Sequence, residues 1–487
     1  MKRNLTYLFL ILVCLTSCEK TRNIVTLSGK FIGQVPKEIR CTVPVNGICD
    51  EYLQTSQNVD SLGNFEFRFD LKKPSFITLL LPRGKMRQLI LDPGENYHIS
   101  IEPNNHKNLS KVVCKNPEVQ QEYQKLVSPM FLQDVTMKFW NLPIATVENE
   151  TDSLYNKEIE TFENLLNEGK ISTNLFDLIK LDRKLFYSSV LGETATIKFV
   201  RAIKLDRNAN IDSIKEMWEK AVLRIPLDTA NLLSSKWAYS YLQNYLRYQE
   251  YIGEKYHFSD RSAARKKGLL HTYILDVAKS YLNGKTLEFY DASYIISVAR
   301  QHKYEKELIA LYKSFNVDFP HSIFSKYLEP HIKEIVDFHK RTEQKFNEAS
   351  KFLENYEHIN SLAQCVKQFR GQKVYVDLWA TWCGPCKRQF AYSDKLHNLL
   401  KSKNIVMLYI STNRDKDDLQ WKNMIKYYNL AGYHVRANKK FKEDLKKIIG
   451  RFGIPRYLLI DKKGNIIDDD AKRPSQLKEL EDELNRK

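Results

Sequence analysis

After its first 17 residues the sequence has no apolar run that is long enough to cross a membrane. A membrane-spanning helix needs about 20 predominantly apolar residues, so we expect no transmembrane helix beyond that point. Glycine and proline are sparse, with 17 and 15 residues among 487, which excludes collagen-like and low-complexity chains. Residues 106–345 contain no HExxH, no phosphate-binding glycine run and no paired-histidine spacing. That stretch therefore shows no known metal or nucleotide motif.

The charge balance is basic, with 76 Lys and Arg against 59 Asp and Glu, a net charge of +17. A clustered basic charge favours nucleic acid or anionic lipid. Here the basic residues are scattered, and neither helix-turn-helix nor zinc-finger spacing occurs. We therefore assign the charge to a solvated surface and expect no nucleic-acid partner.

The first residues have the pattern of an export signal. Lys2 and Arg3 precede an apolar run that ends in small residues before Cys18, which predicts a signal peptide over residues 1–17. The tetrapeptide LTSC resembles the bacterial lipobox, in which the cysteine receives a diacylglycerol. We expect a lipid anchor at Cys18, because two or more acyl chains hold a protein on a membrane, and a place in the cell envelope facing the periplasm. The alternative is ordinary cleavage beside an unrelated cysteine.

The length predicts two to four domains. Residues 18–105 contain alternating segments such as NFEFRFDL, which predict a β-rich domain similar to a small β-sandwich. Residues 106–345 have a helical period and predict an all-α domain. In residues 346–487 strands and helices alternate, which predicts an α/β sheet. The charged stretch 339–355 is expected to continue a helix between the last two domains.

Aromatic residues recur at helical spacing in the central region, at Trp237, Tyr241, Tyr245 and Tyr248. Such a stripe is either part of a helical core or the wall of a ligand groove. The core is the commoner arrangement, and the sequence alone leaves both open.

The most specific motif is Trp382-Cys383-Gly384-Pro385-Cys386, which follows the apolar segment KVYVDLW and opens a predicted helix. A helix N-terminus carries about half a positive charge, so it stabilises a thiolate at Cys383 and lowers the pKa of that thiol. Cys383 is therefore the expected nucleophile. Gly384 and Pro385 hold Cys386 one turn away, where it can resolve a mixed disulfide.

A CxxC pair can instead be half of a zinc site, but that requires two further ligands at matching spacing. The other cysteines of the predicted mature chain beyond Cys18 are Cys41, Cys49, Cys114 and Cys365, and none repeats the CxxC spacing. We therefore expect no metal. Cys41 and Cys49 are candidates for a structural disulfide in an oxidising compartment, or else two buried free thiols.

The segment around CGPC, together with Gly453-Ile454-Pro455-Arg456-Tyr457 further along, resembles in order the active-site strand, helix start and cis-proline loop of thioredoxins. The C-terminal part is thus similar to the TlpA/ResA-like lipoproteins of the thioredoxin family, and a thioredoxin fold is expected. The resemblance implies reduction of disulfides in exported proteins, apocytochrome c among them. It implies a membrane thiol reductant as electron donor and no cofactor besides the redox-active Cys383–Cys386 dithiol/disulfide.

The same resemblance assigns roles to four further residues. Asp377, six residues before Cys383, matches the buried carboxylate that exchanges the proton of the resolving thiol; the alternative is an acid that faces solvent. Pro455, if cis, lets the backbone of Ile454 pair with an incoming peptide. Trp382 is expected to border and shield the site.

Two departures from the family pattern limit the prediction. Gln389 replaces a glutamate of ResA-type reductases and cannot transfer a proton, so specificity for cytochromes is doubtful. Ala391 replaces a proline that kinks the helix in thioredoxins, which predicts a straighter first helix. A reductase is favoured by the Gly-Pro dipeptide and by Ile454. The alternatives are an oxidase or isomerase, or an envelope binding protein that uses this domain as a scaffold.

Overall fold

In a computed structural model of the chain, the structure describes residues 23–486 apart from 46, 83–84, 106–109, 130, 206–209, 254–257 and 451–452. The predicted signal peptide and Cys18 lie outside the described residues. The chain forms two compact units. The first runs to Tyr294 and includes Phe315–Tyr327, and the second contains Ile295–Ser314 and Leu328–Lys487.

The first unit begins with two four-stranded sheets, ordered β4-β1-β7-β8 and β3-β2-β5-β6. The strands are β1 Ile24–Phe31, β2 Glu38–Thr42, β3 Gln54–Asn58, β4 Asn64–Asp70, β5 Ser75–Leu80, β6 Met86–Leu91, β7 Asn96–Ile101 and β8 Ser110–Val113. Both sheets contribute to one apolar core, in which Phe65, Phe67 and Phe69 of β4 face inward. Because successive side chains of a strand point to opposite faces, the alternating pattern buries one face. This agrees with the predicted small β-sandwich, and its last strand extends beyond residue 105.

Helices follow from residue 117 to residue 342. They are α1 Pro117–Lys125, α2 Gln133–Thr136, α3 Ile144–Asn167, α4 Thr173–Leu205, α5 Ile211–Leu223, α6 Ala238–Tyr251, α7 Phe258–Lys266, α8 Leu270–Tyr281, α9 Gly284–Ala299, α10 Glu307–Asp318 and α11 Ser325–Thr342. The predicted helical middle is therefore present. Within the described residues, no helix has both the length and the apolar character needed to cross a membrane.

The aromatic stripe of α6 packs into the helical core. Tyr241 is fully buried and donates its hydroxyl hydrogen toward the carbonyls of Val222 and Ile225, both at 2.5 Å. The Tyr248 ring meets the edge of Trp218, with centroids 5.9 Å apart. These contacts favour the core interpretation over a ligand groove.

The second unit contains a six-stranded sheet of order β14-β13-β10-β11-β12-β9. Its strands are β9 Ser350–Phe352, β10 Lys373–Trp379, β11 Ile405–Ser411, β12 Gly432–Arg436, β13 Arg456–Ile460 and β14 Ile466–Asp468. β10, β11, β12 and β9 are parallel, while β13 and β14 are antiparallel to their neighbours. The helices of this part are α12 Leu362–Val366, α13 Gly384–Gln389, α14 Ser393–Ser402, α15 Asp418–Tyr427, α16 Lys439–Ile449 and α17 Leu477–Arg486. β10 lies inside the sheet, between β13 and β11. The segment that follows Trp379 starts at the carboxyl end of this strand, where α/β proteins place their ligand-binding sites.

Two expectations are corrected. The charged stretch 339–355 does not continue as a helix, since α11 ends at Thr342 and Ser350–Phe352 pairs with β12 as strand β9. The first helix after the CGPC is not straighter either. Although no proline follows, α13 ends at Gln389 and a 3₁₀ turn over Phe390–Tyr392 separates it from α14. The Phe390 ring is buried there against Trp379, with centroids 5.1 Å apart.

The sequence left two alternatives open for Cys41 and Cys49, a disulfide or two buried free thiols. In the structure both are buried free thiols. They are buried in different apolar clusters: Cys41 lies in the core of the two sheets, while Cys49 lies among residues of the first helices. The Cys49 thiol points to the carbonyl of Phe76 at 3.5 Å. Proximity in sequence therefore does not bring the two sulfurs together.

Candidate functional site

The CGPC pair lies at the start of α13, just past the carboxyl end of β10. Cys383 is the N-cap residue of this helix and forms a disulfide with Cys386, with the two Cα atoms 5.3 Å apart. The backbone N–H of Cys386 donates to the Cys383 sulfur at 3.1 Å. An N-cap acceptor normally satisfies a free amide of the first helical turn. Here that acceptor is the sulfur of the expected nucleophile.

The two cysteines are both buried, but the residue before them is exposed. Cys383 is 4% exposed and Cys386 is fully buried, whereas Trp382 is 67% exposed. Pro385 is exposed and Gly384 half-buried, both in the first turn of α13. The structure thus brings the predicted active-site loop together, with the Trp382 ring accessible beside the disulfide.

Asn413 fastens the loop that leads from β10 to Cys383, and the sequence analysis missed it. Its side-chain oxygen accepts from the Thr381 N–H at 2.9 Å, and its amide nitrogen donates to the Thr381 hydroxyl at 2.6 Å. The Ser411 hydroxyl donates to the same oxygen at 2.8 Å, and Lys442 donates to the Asn413 carbonyl at 2.7 Å. Asn413 is fully buried. Its position just after β11, the parallel neighbour of β10, is the signal that could have identified it.

Asp377 is buried within β10 with only 1% of its surface exposed. It pairs in register with Tyr409 of β11 and Tyr457 of β13. Burial raises the pKa of its carboxyl well above the usual range. Its Oδ1 has no hydrogen-bond partner among the described residues. The carboxyl group is therefore inside the sheet and not a solvent-facing acid.

The second motif forms the loop before β13. The Ile454–Pro455 peptide bond is cis. Pro455 is buried, while Ile454 is half-buried and packs against the core of the sheet. A buried cis-proline fixes the course of a tight turn.

Gln389, which replaces a glutamate of ResA-type reductases, has a structural contact. Its Oε1 accepts a hydrogen bond from the backbone N–H of Ser475 at 3.0 Å. The contact joins the end of α13 to the 3₁₀ turn before α17. This hydrogen bond gives Gln389 a structural role that requires no proton transfer.

Lys387, directly after Cys386, is a second residue that the sequence analysis missed. It is 7% exposed, and its Nζ donates to the carbonyl of His302 at 2.9 Å. Burial lowers the pKa of its ammonium group to about 8, and Glu334 counteracts that decrease. The only sequence signal was its place beside the pair, since nothing in the motif indicates that a lysine there is buried.

The remaining described cysteines have the character of inert thiols. Burial raises the pKa of Cys41, Cys49 and Cys365 to about 12, and that of Cys114 is raised as well. Reactivity requires the thiolate. The redox chemistry is therefore concentrated at the CGPC.

Comparison with known proteins gives a consistent result. The Redoxin family profile matches residues 355–484. Thiol-disulfide oxidoreductase ResA of Bacillus thuringiensis subsp. konkukian is 32% identical over 104 residues, which are 21% of this chain and 57% of that protein. ResA of Geobacillus thermodenitrificans is 24% identical over 98 residues, 20% of this chain and 53% of that protein. The chain thus spans little more than half the length of these relatives.

Part of the chain also resembles solved structures. A thiol-disulfide oxidoreductase from Bacteroides fragilis is 25% identical and covers 24% of this chain and 84% of its own, with a TM-score of 0.21. The order of the strands in the sheet, the CGPC at its carboxyl edge and the match to the Redoxin family together indicate a thioredoxin fold. The C-terminal region of this chain is therefore a Redoxin domain that is similar to the TlpA/ResA-like thiol–disulfide oxidoreductases of the thioredoxin family.

Proposed function

We propose that the protein is an envelope thiol–disulfide oxidoreductase that reduces disulfides of exported proteins. The observation that carries the proposal is the N-cap geometry of Cys383, whose sulfur accepts the Cys386 N–H at 3.1 Å and is bonded to Cys386. A sulfur at a helix N-terminus is stabilised as a thiolate. Cys386, one turn further along the helix, can form the disulfide with Cys383 again, so the pair itself carries two electrons without a further cofactor.

The reaction has two exchange steps. The Cys383 thiolate attacks one sulfur of a substrate disulfide, which forms a mixed disulfide and releases the other substrate sulfur as a thiolate. The Cys386 thiolate then attacks the Cys383 sulfur, the mixed disulfide breaks, and the substrate leaves as a dithiol. The Cys383–Cys386 pair loses the two electrons that the substrate gains, and it is left as a disulfide. An external dithiol, which we propose to be a membrane thiol reductant, must return the pair to the reduced form.

Asp377 is proposed to handle the proton of Cys386 during the second step. Cys386 is fully buried, so its thiol needs an internal acceptor to become a nucleophile. A carboxyl group whose pKa burial raises toward the working pH can accept and return a proton. Thiol and carboxyl titrations in such a site are coupled, so the two groups act as a pair.

The substrate is proposed to approach over Trp382 and the Ile454–Pro455 loop. Trp382 is the exposed aromatic residue next to the disulfide, and aromatic rings contribute much of the energy of peptide contacts. The cis bond before Pro455 turns the loop so that the Ile454 backbone can pair with an extended substrate.

Three observations support reduction over oxidation. The dipeptide between the cysteines is Gly384-Pro385, the residue before the cis-proline is the apolar Ile454, and the two relatives described above are ResA proteins. In the thioredoxin family, potentials run from about −270 mV for reductants to about −120 mV for a strong oxidant. Apocytochrome c is a candidate substrate by this resemblance, although Gln389 lacks the acid that ResA-type reductases carry.

The envelope location is proposed from the leader and from Cys18, which would carry the lipid anchor and hold the domain on the periplasmic side of a membrane. Exported proteins are the disulfide-bearing partners in that compartment. The Cys18 lipid would therefore keep the redox pair close to both its substrates and a membrane-bound donor.

An insulin-reduction assay tests the activity. Catalytic amounts of the protein with dithiothreitol should accelerate reduction of insulin, and the Cys383→Ser/Cys386→Ser double variant should not. Equal rates for both proteins would contradict the proposal and favour a binding protein that uses this domain as a scaffold. The direction of electron transfer is determined by rapid acid trapping and alkylation in cells. A reductase is kept mainly as the dithiol, and an oxidase is kept mainly as the disulfide.

A further inference from the structure

Lys387 connects the redox-active helix to a segment that precedes the thioredoxin fold in sequence. Its backbone N–H donates to the carbonyl of Cys383 at 3.2 Å, so the two residues are one helical turn apart. Its Nζ reaches the carbonyl of His302 at 2.9 Å and lies 6.0 Å from the centroid of the Tyr304 ring. Both contacts lie within the second compact unit, which includes residues 295–314.

The His302–Tyr304 turn, whose His302 carbonyl accepts the hydrogen bond from Lys387, is held in place by several contacts. The Tyr304 hydroxyl bonds to the Tyr428 hydroxyl at 2.8 Å and donates to Glu334 at 3.1 Å. The Tyr304 ring stacks on Phe338 with centroids 4.2 Å apart. Glu334 and Phe338 belong to α11, and Tyr428 follows α15. The turn is therefore fixed from two sides, by the helix before the thioredoxin fold and by a helix within it.

The backbone of this turn adopts an unfavourable conformation. His302 has φ +50° and Tyr304 has φ +56°, in the left-handed region that is unfavourable for a residue with a Cβ. Such conformations persist only where surrounding contacts enforce them. Within this turn, the His302 carbonyl accepts the hydrogen bond from the ammonium group of Lys387.

Burying the ammonium group is unfavourable unless it has partners. A lysine on a helix surface can keep its charge in water by extending its side chain. Lys387 instead has only 7% of its surface exposed, and Glu334 provides the attraction that favours the charged form. The ammonium group is therefore held at the carbonyl of His302, on a residue one helical turn after the expected nucleophile.

We propose that Lys387 is a positioning residue for the Cys383–Cys386 pair, through which the His302–Tyr304 turn fixes the redox-active helix and favours the Cys383 thiolate. The proposal rests on the proposed thiol–disulfide exchange. A positive charge in the surroundings of a thiolate stabilises it, and the thiolate exists only in the reduced pair. The contact therefore favours the dithiol form over the disulfide and increases the share of reactive Cys383.

Lys387→Met tests the proposal, because methionine retains the unbranched stem and removes the ammonium group. The control is Lys395→Met on α14, where the lysine is exposed. The readouts are the equilibrium of each protein with glutathione and its disulfide, the pKa of Cys383 from thiolate absorbance, and the insulin-reduction rate. Lys387→Met should shift the glutathione equilibrium toward the protein disulfide on the order of tenfold, which corresponds to a change of about one unit in the pKa of Cys383. The Cys383 pKa should rise, and Lys395→Met should match the parent.

A folded Lys387→Met protein with the parent equilibrium and the parent Cys383 pKa would overturn the proposal. If that variant fails to fold, Tyr304→Phe decides, since it leaves Lys387 unchanged and removes the hydroxyl that holds the turn. Tyr304→Phe should shift the equilibrium in the same direction by a smaller factor, and no shift would overturn the proposal. An inactive parent protein would instead contradict the proposed function, so the two failures are distinguishable.

Discussion

The backbone N–H of Cys386 donates a hydrogen bond to the sulfur of Cys383 over 3.1 Å. The bond has a direction: the Cys383 sulfur accepts it at the N-cap position, and Cys386, which donates it, lies inside the first helical turn. Negative charge is therefore favoured on Cys383 more than on Cys386. The two cysteines are chemically unequal although they are joined in one disulfide.

This inequality predicts different behaviour of the two serine variants. Cys383→Ser removes the attacking thiolate and should abolish turnover without trapping substrate. Cys386→Ser should still attack but cannot resolve the intermediate, so covalent partners accumulate. Non-reducing gels of envelope extracts provide the measurement. Equal accumulation of mixed disulfides by both variants would show that the roles are assigned wrongly.

Asp377→Asn should slow disulfide exchange about 10²-fold or more near neutral pH, the usual cost of losing a general base. Stopped-flow reduction of a model disulfide across a range of pH is the measurement. A pH–rate profile identical to that of the parent would remove Asp377 from the mechanism.

The same substitution should increase stability at neutral pH. Burial raises the pKa of Asp377 in the folded state, so the folded protein binds more protons than the unfolded chain above the unfolded pKa of about 4. The free energy of unfolding of the parent therefore falls as pH rises from there through the raised pKa. The asparagine side chain of the variant does not titrate, so chemical denaturation should show a flatter dependence on pH for Asp377→Asn. A parallel dependence in both proteins would contradict the burial argument.

Asn413→Ala should decrease both stability and activity. It removes the partners of the Thr381 N–H and of the Ser411 hydroxyl, both in buried surroundings, at a cost of about 1–3 kcal/mol for each unsatisfied group. The loop before Cys383 loses its support, so insulin reduction should fall about tenfold. A double-mutant cycle with Thr381→Val should give a coupling energy of about 0.5–3 kcal/mol. Additive effects would mean that the Asn413–Thr381 contact does not hold the loop.

Alkylation should separate the cysteines into two classes. After mild reduction, Cys383 should react with iodoacetamide in the native protein, whereas Cys41, Cys49 and Cys365 should react only after unfolding. Their pKa values near 12 leave almost no thiolate at neutral pH. Peptide mapping identifies the labelled sites. A Cys41–Cys49 peptide linked by a disulfide would contradict the buried free thiols.

Cys18→Ser should abolish lipid modification, since the lipobox-like LTSC requires the thiol. Mass spectrometry of the parent should find an acylated N-terminal cysteine, and the variant should lose both that mass and its fractionation with membranes. A parent protein without acyl mass, together with a variant that stays in the membrane fraction, would contradict the anchor.

Most of the thioredoxin region was predictable because its strands are apolar and its motifs are local. The KVYVDLW segment became β10, and CGPC began a helix as expected. Strand β3 has no comparable sequence signal, because Gln54–Asn58 has no apolar alternation and is largely exposed. Asn413 and Lys387 were missed for a different reason. Their partners, Thr381 and His302, are 32 and 85 residues away in sequence, and single-sequence patterns do not show such pairings.

The short strand β9 has a consequence for any attempt to isolate the redox part of the chain. Ser350–Phe352 pairs with β12 and ends just before residue 355, where the family match begins. A fragment cut at that match would leave β12 as a bare parallel edge and expose the Trp421 and His434 rings, which Phe352 covers at centroid distances of 5.4 and 5.8 Å. Unprotected edges recruit other strands. Such a fragment should self-associate, and a soluble one must begin upstream of Ser350.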